Sequence, residues 1–503
     1  MDISALAHAV QDFIGESPAG IVIEEGEVLF NLSDAKYSVS TENNRCVIHL
    51  WSRDRNCVRR VVDLEEKHGV LRLSVQRLGR SKPNLLEISR EPDHRTPSTK
   101  RSQRSQYERQ LENILLRSFP GFSVTKPKSS VDLERSFGPV YARGALHKGN
   151  TMFAVLGANV DETQAAIDGA LTIGLLWLDY LREREAARKL VAGLKLFVPP
   201  GRSAIVRERT AHLNHALASL EVYEFNQRSG ELEQMDCSDR GNMATHLVHC
   251  PNFAAAEERF AAAIVRIREI APACDVVILS PADISFRVHG LEFARANIAG
   301  SIHSAPEITF GVGPSETVLS AESEPLFREI VRRLVESRQP HAPSPGDVLW
   351  RLAPERWLES LITRDVTIVD HHLDSRFTYS QVPAFTASDR AMIDVLACTT
   401  EGQLAVIELK ADEDLHLPLQ GLDYWARVSW HHSRNEFPKH GYFAKTQLSE
   451  KPPLLYLVAP ALRIHPTTDK LLRYFSPDIV WQLVAVKETW REKTDVVFRK
   501  RRG

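Results

Sequence analysis

Apolar positions recur along this chain with two different periods, and the switches between them divide it. From residue 21 to 90, segments such as GIVIEEGEVLFNL, RCVIHLWS and GVLRLSVQRL alternate and are separated by the turn-forming NN, DRN and HG. A two-residue period buries one side of each strand, so a small β-rich domain is expected over 1–95. The next stretch, PDHRTPSTKRSQRSQ from 92 to 106, is polar and basic and reads as a flexible linker, or else as a basic arm touching phosphate. Helical periodicity then opens two segments, YERQLENILLRSF from 107 and PERWLESLITRDV from 354, which share E-R-x-L-E.

The likeness between these segments continues in order. MFAVLGAN (152–159) parallels QLAVIELK (403–410), LDY recurs at 178–180 and 422–424, and KLFVPPG (195–201) parallels LYLVAPA (455–461). A co-linear series of this kind predicts an internal repeat, each copy running helix, strand hairpin, helix, strand, helix, strand. The copies are expected over 105–235 and 346–503. Between them VVILSP, ISFRVHGLEFARAN and PEITFGVG predict an α+β connector over 240–342, closed by HAPSPGD at 341–347.

Composition narrows the setting. With 503 residues, 43% hydrophobic and 25% charged, the chain is a globular α/β protein of several domains. Its 63 basic and 65 acidic residues leave a net charge of -2, so a nucleic-acid surface would have to be a local patch. The six cysteines form no CxxC pair and MDISALAHAVQDF is acidic, from which a reduced, cytoplasmic setting is expected. The longest apolar stretch, Ala170 to Leu178, is too short for a bilayer, and no membrane span is expected. Cys237, His246, His249 and Cys250 make a single cluster, whereas structural zinc sites draw on two short ligand pairs. There is no GxxxxGK[ST], GxSxG, HExxH or complete GxGxxG.

The second copy carries the chemistry. IDVLACTTEGQLAVIELK (393–410) reads as a hairpin closed at Gly402, with Asp394 and Glu408 symmetric about residue 401. Residues equidistant from an antiparallel turn face each other with Cβ atoms roughly 5 Å apart. Two carboxylates so placed repel unless a cation lies between them, and their hard oxygens suit Mg²⁺ or Mn²⁺. Lys410 is two residues after Glu408 and shares its face, setting an ammonium beside that pair. Gln420 and Tyr424 follow at i and i+4 on one side of the next helix. Glu355 and Glu359 have the same relation upstream. Glu359, aligned with Glu112 of the first copy, is the candidate outer metal ligand, and Glu355 reads as a solvated first-turn carboxylate.

Asp394, Glu408-Leu409-Lys410 and Gln420 to Tyr424 resemble the D…ExK…QxxxY pattern of the PD-(D/E)XK restriction-endonuclease-like superfamily, and IDVLACTTEGQLAVIELK is most similar to its NucS-type branch. The resemblance spans about 150 residues, from roughly 350 onward. It implies a four-stranded mixed sheet flanked by helices, and metal held by Asp394, Glu408 and the Leu409 carbonyl, with Lys410 serving the attacking water. The implied activity is that of a metal-dependent DNA endonuclease, with DNA as partner and a homodimer as one open assembly. A nucleic-acid-binding or scaffold protein that has lost turnover is the alternative. Another E-x-K, Glu65 to Lys67, has Trp51 where the aspartate belongs and is set aside.

The first copy lacks this set. Gly157 stands at the Glu408 position, Asn159 at Lys410, Leu176 at Gln420, and no acid lies among Tyr141 to Gly144; only Tyr180 persists. That copy is expected to be a degenerate one, structural or substrate-holding. His431 and His432 are expected at the surface without a catalytic task. The basic tail, Lys487, Arg491, Lys493, Arg499, Lys500, Arg501 and Arg502, is read either as a phosphate contact or as a solvated terminus.

Overall fold

A computed structural model describes residues 3–502, except 18–19, 25–26, 33–34, 43–44, 52–55, 68, 77–83, 91–96, 133–135, 187, 241–242, 244, 299–305, 313–315, 342–346 and 387–391. The fold is mixed α/β with several sheets and a β-rich N-terminal region. The chain forms two compact units, one of Met1–Ala170, Glu185–Arg202 and Tyr223–Gln234, the other of Leu171–Arg184, Ser203–Val222 and Met235–Gly503. Among the described residues no helix is long and apolar enough to cross a membrane.

In the first unit, seven strands between Ile21 and Ser89 form one antiparallel sheet. The helix Ile3–Gly15 lays Val10, Phe13 and Ile14 on the inward residues Ile48, Leu50, Leu73 and Ile88, as the alternating pattern requires. The expected linker differs: residues 92–96 fall outside the described residues, and Pro97 begins a helix running to Ser118. Proline is favoured at a first helical position, and the Lys, Arg, Gln and Glu that follow are helix formers, so a polar, basic composition is compatible with a helix there.

Each repeat carries a sheet whose strands lie side by side in sequence order. In the first these are Ser123–Lys128, Tyr141–Lys148, Thr151–Ala158, Leu190–Val198, Ser219–Phe225 and Leu232–Met235. In the second they are Leu373–Thr386, Met392–Thr399, Leu404–Leu409, Leu454–Pro460, Trp481–Val486 and Val496–Arg501, with the short Thr245–Leu247 added at one edge. The second sheet therefore has seven strands, where four were expected; those four form its centre. In both sheets an antiparallel hairpin is followed by a helix and a strand parallel to the second arm.

Within the second unit, the two helices Ala170–Glu185 and Ala204–Ala211 of the first repeat meet their counterparts in the second, Leu417–Ser433 and Thr468–Leu472. Thr172 Oγ1 lies 3.0 Å from His416 Nδ1. Asp179 accepts from Arg473 at 2.8 Å and from the Tyr474 hydroxyl at 2.5 Å, while Asp423 accepts both forks of Arg209 at 2.9 and 2.7 Å. Leu213 and Phe475 form an antiparallel bridge, with Asn214 N donating to Tyr474 O and Ser476 N to His212 O.

The connector packs Phe260, Ile267, Phe286, Phe293, Phe310 and Phe327 into its own core, from two short helices, five strands and the helix Glu324–Ser337. Arg338, wholly buried, ties it to the second repeat. Its guanidinium donates to the carbonyls of Val288, His289, Leu349 and Leu352 and lies 4.6 Å over the Trp357 ring. The boundary segment 342–346 is outside the described residues.

The basic tail belongs to the fold. Arg499 donates to the Val369 and Ile368 carbonyls, Lys500 pairs with Asp469, Arg501 with Gln482, and Arg502 with the Ser476 carbonyl. Lys487 and Lys493 share Asp495, and Arg491 stacks 4.0 Å from the Trp350 ring centre. These side chains have partners within the chain, and Arg499 to Arg501 remain exposed on their strand.

Removing one member of a buried ion pair strands the other charge, at a cost of about 3 kcal/mol. Asp423→Ala is expected to lower stability by that order, because Arg209 is only 7% exposed. The double variant Arg209→Met with Asp423→Leu should recover most of it, measured as urea unfolding midpoints.

Candidate active site

The hairpin Met392–Thr399 and Leu404–Leu409 is apolar on both faces along nearly its whole length, so it is buried in the centre of the sheet. Val395 opposes Ile407 and Ala397 opposes Ala405, a register that sets Asp394 against Glu408 one step further on. The Leu409 amide donates to Asp394 Oδ2 at 3.1 Å, fixing the aspartate across the strand gap. Glu408 is 1% exposed and its Oε2 has no hydrogen-bond partner.

Lys410 Nζ lies 3.3 Å from Glu408 Oε1 and 3.8 Å from Glu355 Oε1. Burial holds the Glu408 carboxyl well above its ordinary range, the Asp394 charge adds to this, and Lys410 opposes it. For Lys410, burial works downward, but Glu408, Glu355 and Asp394 outweigh it, and its pKa stands above the ordinary lysine value. The group beside the carboxyl pair is therefore an ammonium at neutral pH.

The helix Leu417–Ser433 reaches this point because residue 421 is glycine. A Cβ there would lie 2.5 Å from Leu457 Cδ2 and 3.6 Å from Glu408 Cβ, so a larger residue would require Leu457 or the helix to shift. Gln420 and Tyr424 flank Gly421 on that helix. Gln420 Oε1 is buried without a partner, and the Tyr424 hydroxyl is raised by burial and then by Glu408 and Asp394, which places it within the field of the pair. Gly421 went unmarked in the sequence because its role is clearance, although its place inside Q-G-L-D-Y was a signal.

Two carboxylates upstream lie near the pair in different ways. Glu359 is buried, and its Oε2 accepts from Arg356 and from Gln381, each at 2.9 Å. Burial raises its carboxyl, and Asp394 is among the lesser causes, so it is near the pair but its oxygen is engaged elsewhere. Glu355 is half-exposed yet sits against Lys410; burial raises its carboxyl and the lysine lowers it. It belongs to the site and is not a merely solvated first-turn residue. His431, expected at the surface, is fully buried, its Nδ1 2.5 Å from Glu436 Oε2 and its Nε2 3.2 Å from Thr245 Oγ1. His432 is half-buried.

The first repeat shows why it has no such centre. Gly157 opposes Ala142 in its hairpin, and a Cβ on Gly157 would meet the Tyr107 hydroxyl at 2.3 Å. Tyr107, itself 2% exposed, thus fills the space that a side chain at the Glu408 position would need. Asn159 is buried and supplies no charge.

The donor set suits a hard divalent cation: two facing carboxyls, one with a bare buried oxygen and a pKa that proton or metal binding must satisfy. Among the described residues, Asp370, His371 and His372 are the one group of three or more such side chains whose donor atoms converge, and Asp370 there is committed to Tyr456 and His372. Cys237, His246, His249 and Cys250 do not converge. Compared with protein-family models and with curated proteins, the chain finds no match.

A raised carboxyl pKa means the folded state holds a proton that the unfolded chain releases, so stability falls as pH rises. Without divalent cation, the protein should lose stability from about pH 4.3, the unfolded glutamate value, up through the folded pKa of Glu408. Glu408→Gln should flatten that slope, and Mn²⁺ should restore the wild type at higher pH. Thermal unfolding across pH, with and without Mn²⁺, reads both effects.

Proposed function

We propose that this protein is a metal-dependent DNA endonuclease whose centre is Asp394, Glu408 and Lys410, on a restriction-endonuclease-like domain of the PD-(D/E)XK type. The observation that carries the reading is a pair of facing carboxyls, Glu408 buried and Asp394 half-buried, with an ammonium 3.3 Å from the Glu408 one. Such a group has no structural rationale in an otherwise apolar hairpin, because burying like charges together is costly. The resemblance of D…ExK…QxxxY supplies the substrate class.

Asp394 and Glu408 would hold Mg²⁺ or Mn²⁺, with the Leu409 carbonyl as the third ligand the resemblance implies; when bound, the metal lowers the pKa of a water and polarises phosphate oxygen. Lys410, kept protonated by the acidic groups around it, offsets the charge that grows on the phosphate during attack. Glu355, on the far side of Lys410, holds that ammonium in place. Gln420 and Tyr424 bring a carbonyl and a hydroxyl toward the carboxyl pair, where they orient the lysine or the water. Glu359, bound to Arg356 and Gln381, fixes the helix behind Asp394.

Lys410→Ala is expected to reduce strand cleavage by about 10²-fold or more while leaving DNA affinity nearly unchanged, as for a group that acts only in the transition state. Cleavage of labelled DNA in Mg²⁺ and mobility shift in Ca²⁺ would be compared for both proteins. Unchanged cleavage by the variant removes Lys410 from the centre; no cleavage by wild type in any metal, with binding retained, favours the binding-only alternative.

A further inference from the structure

The helices of the two repeats meet through equivalent residues. Thr172 and His416 each stand seven residues before the aspartate of the LDY motif, Asp179 or Asp423, and they contact each other. Leu213 and Phe475 each stand six residues before the strand that follows, Ser219–Phe225 or Trp481–Val486, and they too pair with each other. Contacts between equivalent positions occur only where a two-fold axis passes, and they define an isologous interface. Ion pairs cross in both directions between the same segments, although the two arginines do not stand at matching positions: Asp179 takes Arg473, two residues before Phe475, and Asp423 takes Arg209, four residues before Leu213.

The two-fold face formed by these helices of the second repeat is therefore covered from within the chain, by the matching helices of the first, and is closed to a second copy. Half of this internal pair carries no chemistry, since Ala142, Gly157, Asn159 and the intruding Tyr107 replace the carboxyls and the lysine. Resting on the nuclease reading above, we infer that the protein works as a monomer with one live centre and one inert repeat, and that it nicks duplex DNA, cutting one strand per encounter. Each cut consumes one water: a P–O bond forms to the water oxygen, one P–O ester bond breaks, and the leaving sugar oxygen takes a proton to become a hydroxyl. Cutting the opposite strand requires the same centre to dissociate and rebind in the other orientation.

The inference is tested with the full chain on supercoiled plasmid in Mg²⁺ or Mn²⁺, sampled through the first turnover at several protein concentrations. The expected course is complete conversion to open circle before linear DNA appears, with a product ratio independent of protein concentration. Linear DNA formed from the start, or a shift to linear DNA that grows with protein concentration, would show a second live centre arriving from another chain; it overturns the inference and leaves the nuclease reading standing. No conversion of the plasmid by wild type overturns both. Light scattering in the same buffer should give one chain of 56.7 kDa, and a stable dimer would also count against the inference.

Discussion

Two carboxyls held opposite each other on adjoining buried strands are a local instability, and much of the second unit is arranged around it. Leu409 donates its amide to Asp394, and Lys410 places its ammonium against Glu408. Neither contact satisfies Glu408 Oε2. A fully buried carboxylate oxygen without a donor costs several kcal/mol if ionised, so the group keeps its proton until something better arrives. That unspent affinity is what a resident cation would draw on, and it is the physical basis of the proposed centre.

The pair keeps its geometry because its supports are rigid. The hairpin lies between apolar layers, with Trp357, Leu358 and Ile362 of the helix Pro354–Arg364 on one side. The Arg338 guanidinium, stacked on Trp357 and bonded to four carbonyls, anchors the connector to that helix, which in turn carries Glu355 and Glu359. The connector had no visible purpose in the sequence, and one part of it is to brace this helix. Buried arginines satisfied by main-chain oxygens suit that task, because five fixed donors define one geometry.

Gly421 and Gly157 occupy comparable close contacts and have opposite consequences. At Gly421 the missing side chain lets a helix approach Glu408 and bring Gln420 and Tyr424 with it. At Gly157 the missing side chain admits Tyr107, and the first repeat's hairpin closes into an ordinary core. The same sheet order thus serves chemistry in one copy and packing in the other, which is how an α/β scaffold comes to provide both a site and its structural companion.

The repeat, the hairpin register and the convergence of Asp394, Glu408 and Lys410 were legible in the sequence, because a two-residue period and a turn of known length fix which side chains oppose one another. The four central strands were legible for the same reason. Other features depend on contacts between segments far apart in the chain. Arg499 to Arg501 of the basic tail lie on a strand with internal partners, Glu359 was drawn to Arg356 and Gln381, and His431 was buried against Thr245 and Glu436. Charge in a sequence says what a side chain can bond, and burial with its neighbours decides what it does bond. The reciprocal aspartates of the two LDY motifs show the division most clearly: the sequence displayed that they match, and only the tertiary structure decided that each takes its cation from the other repeat, since that pairing depends on two helices meeting about an axis no linear pattern contains.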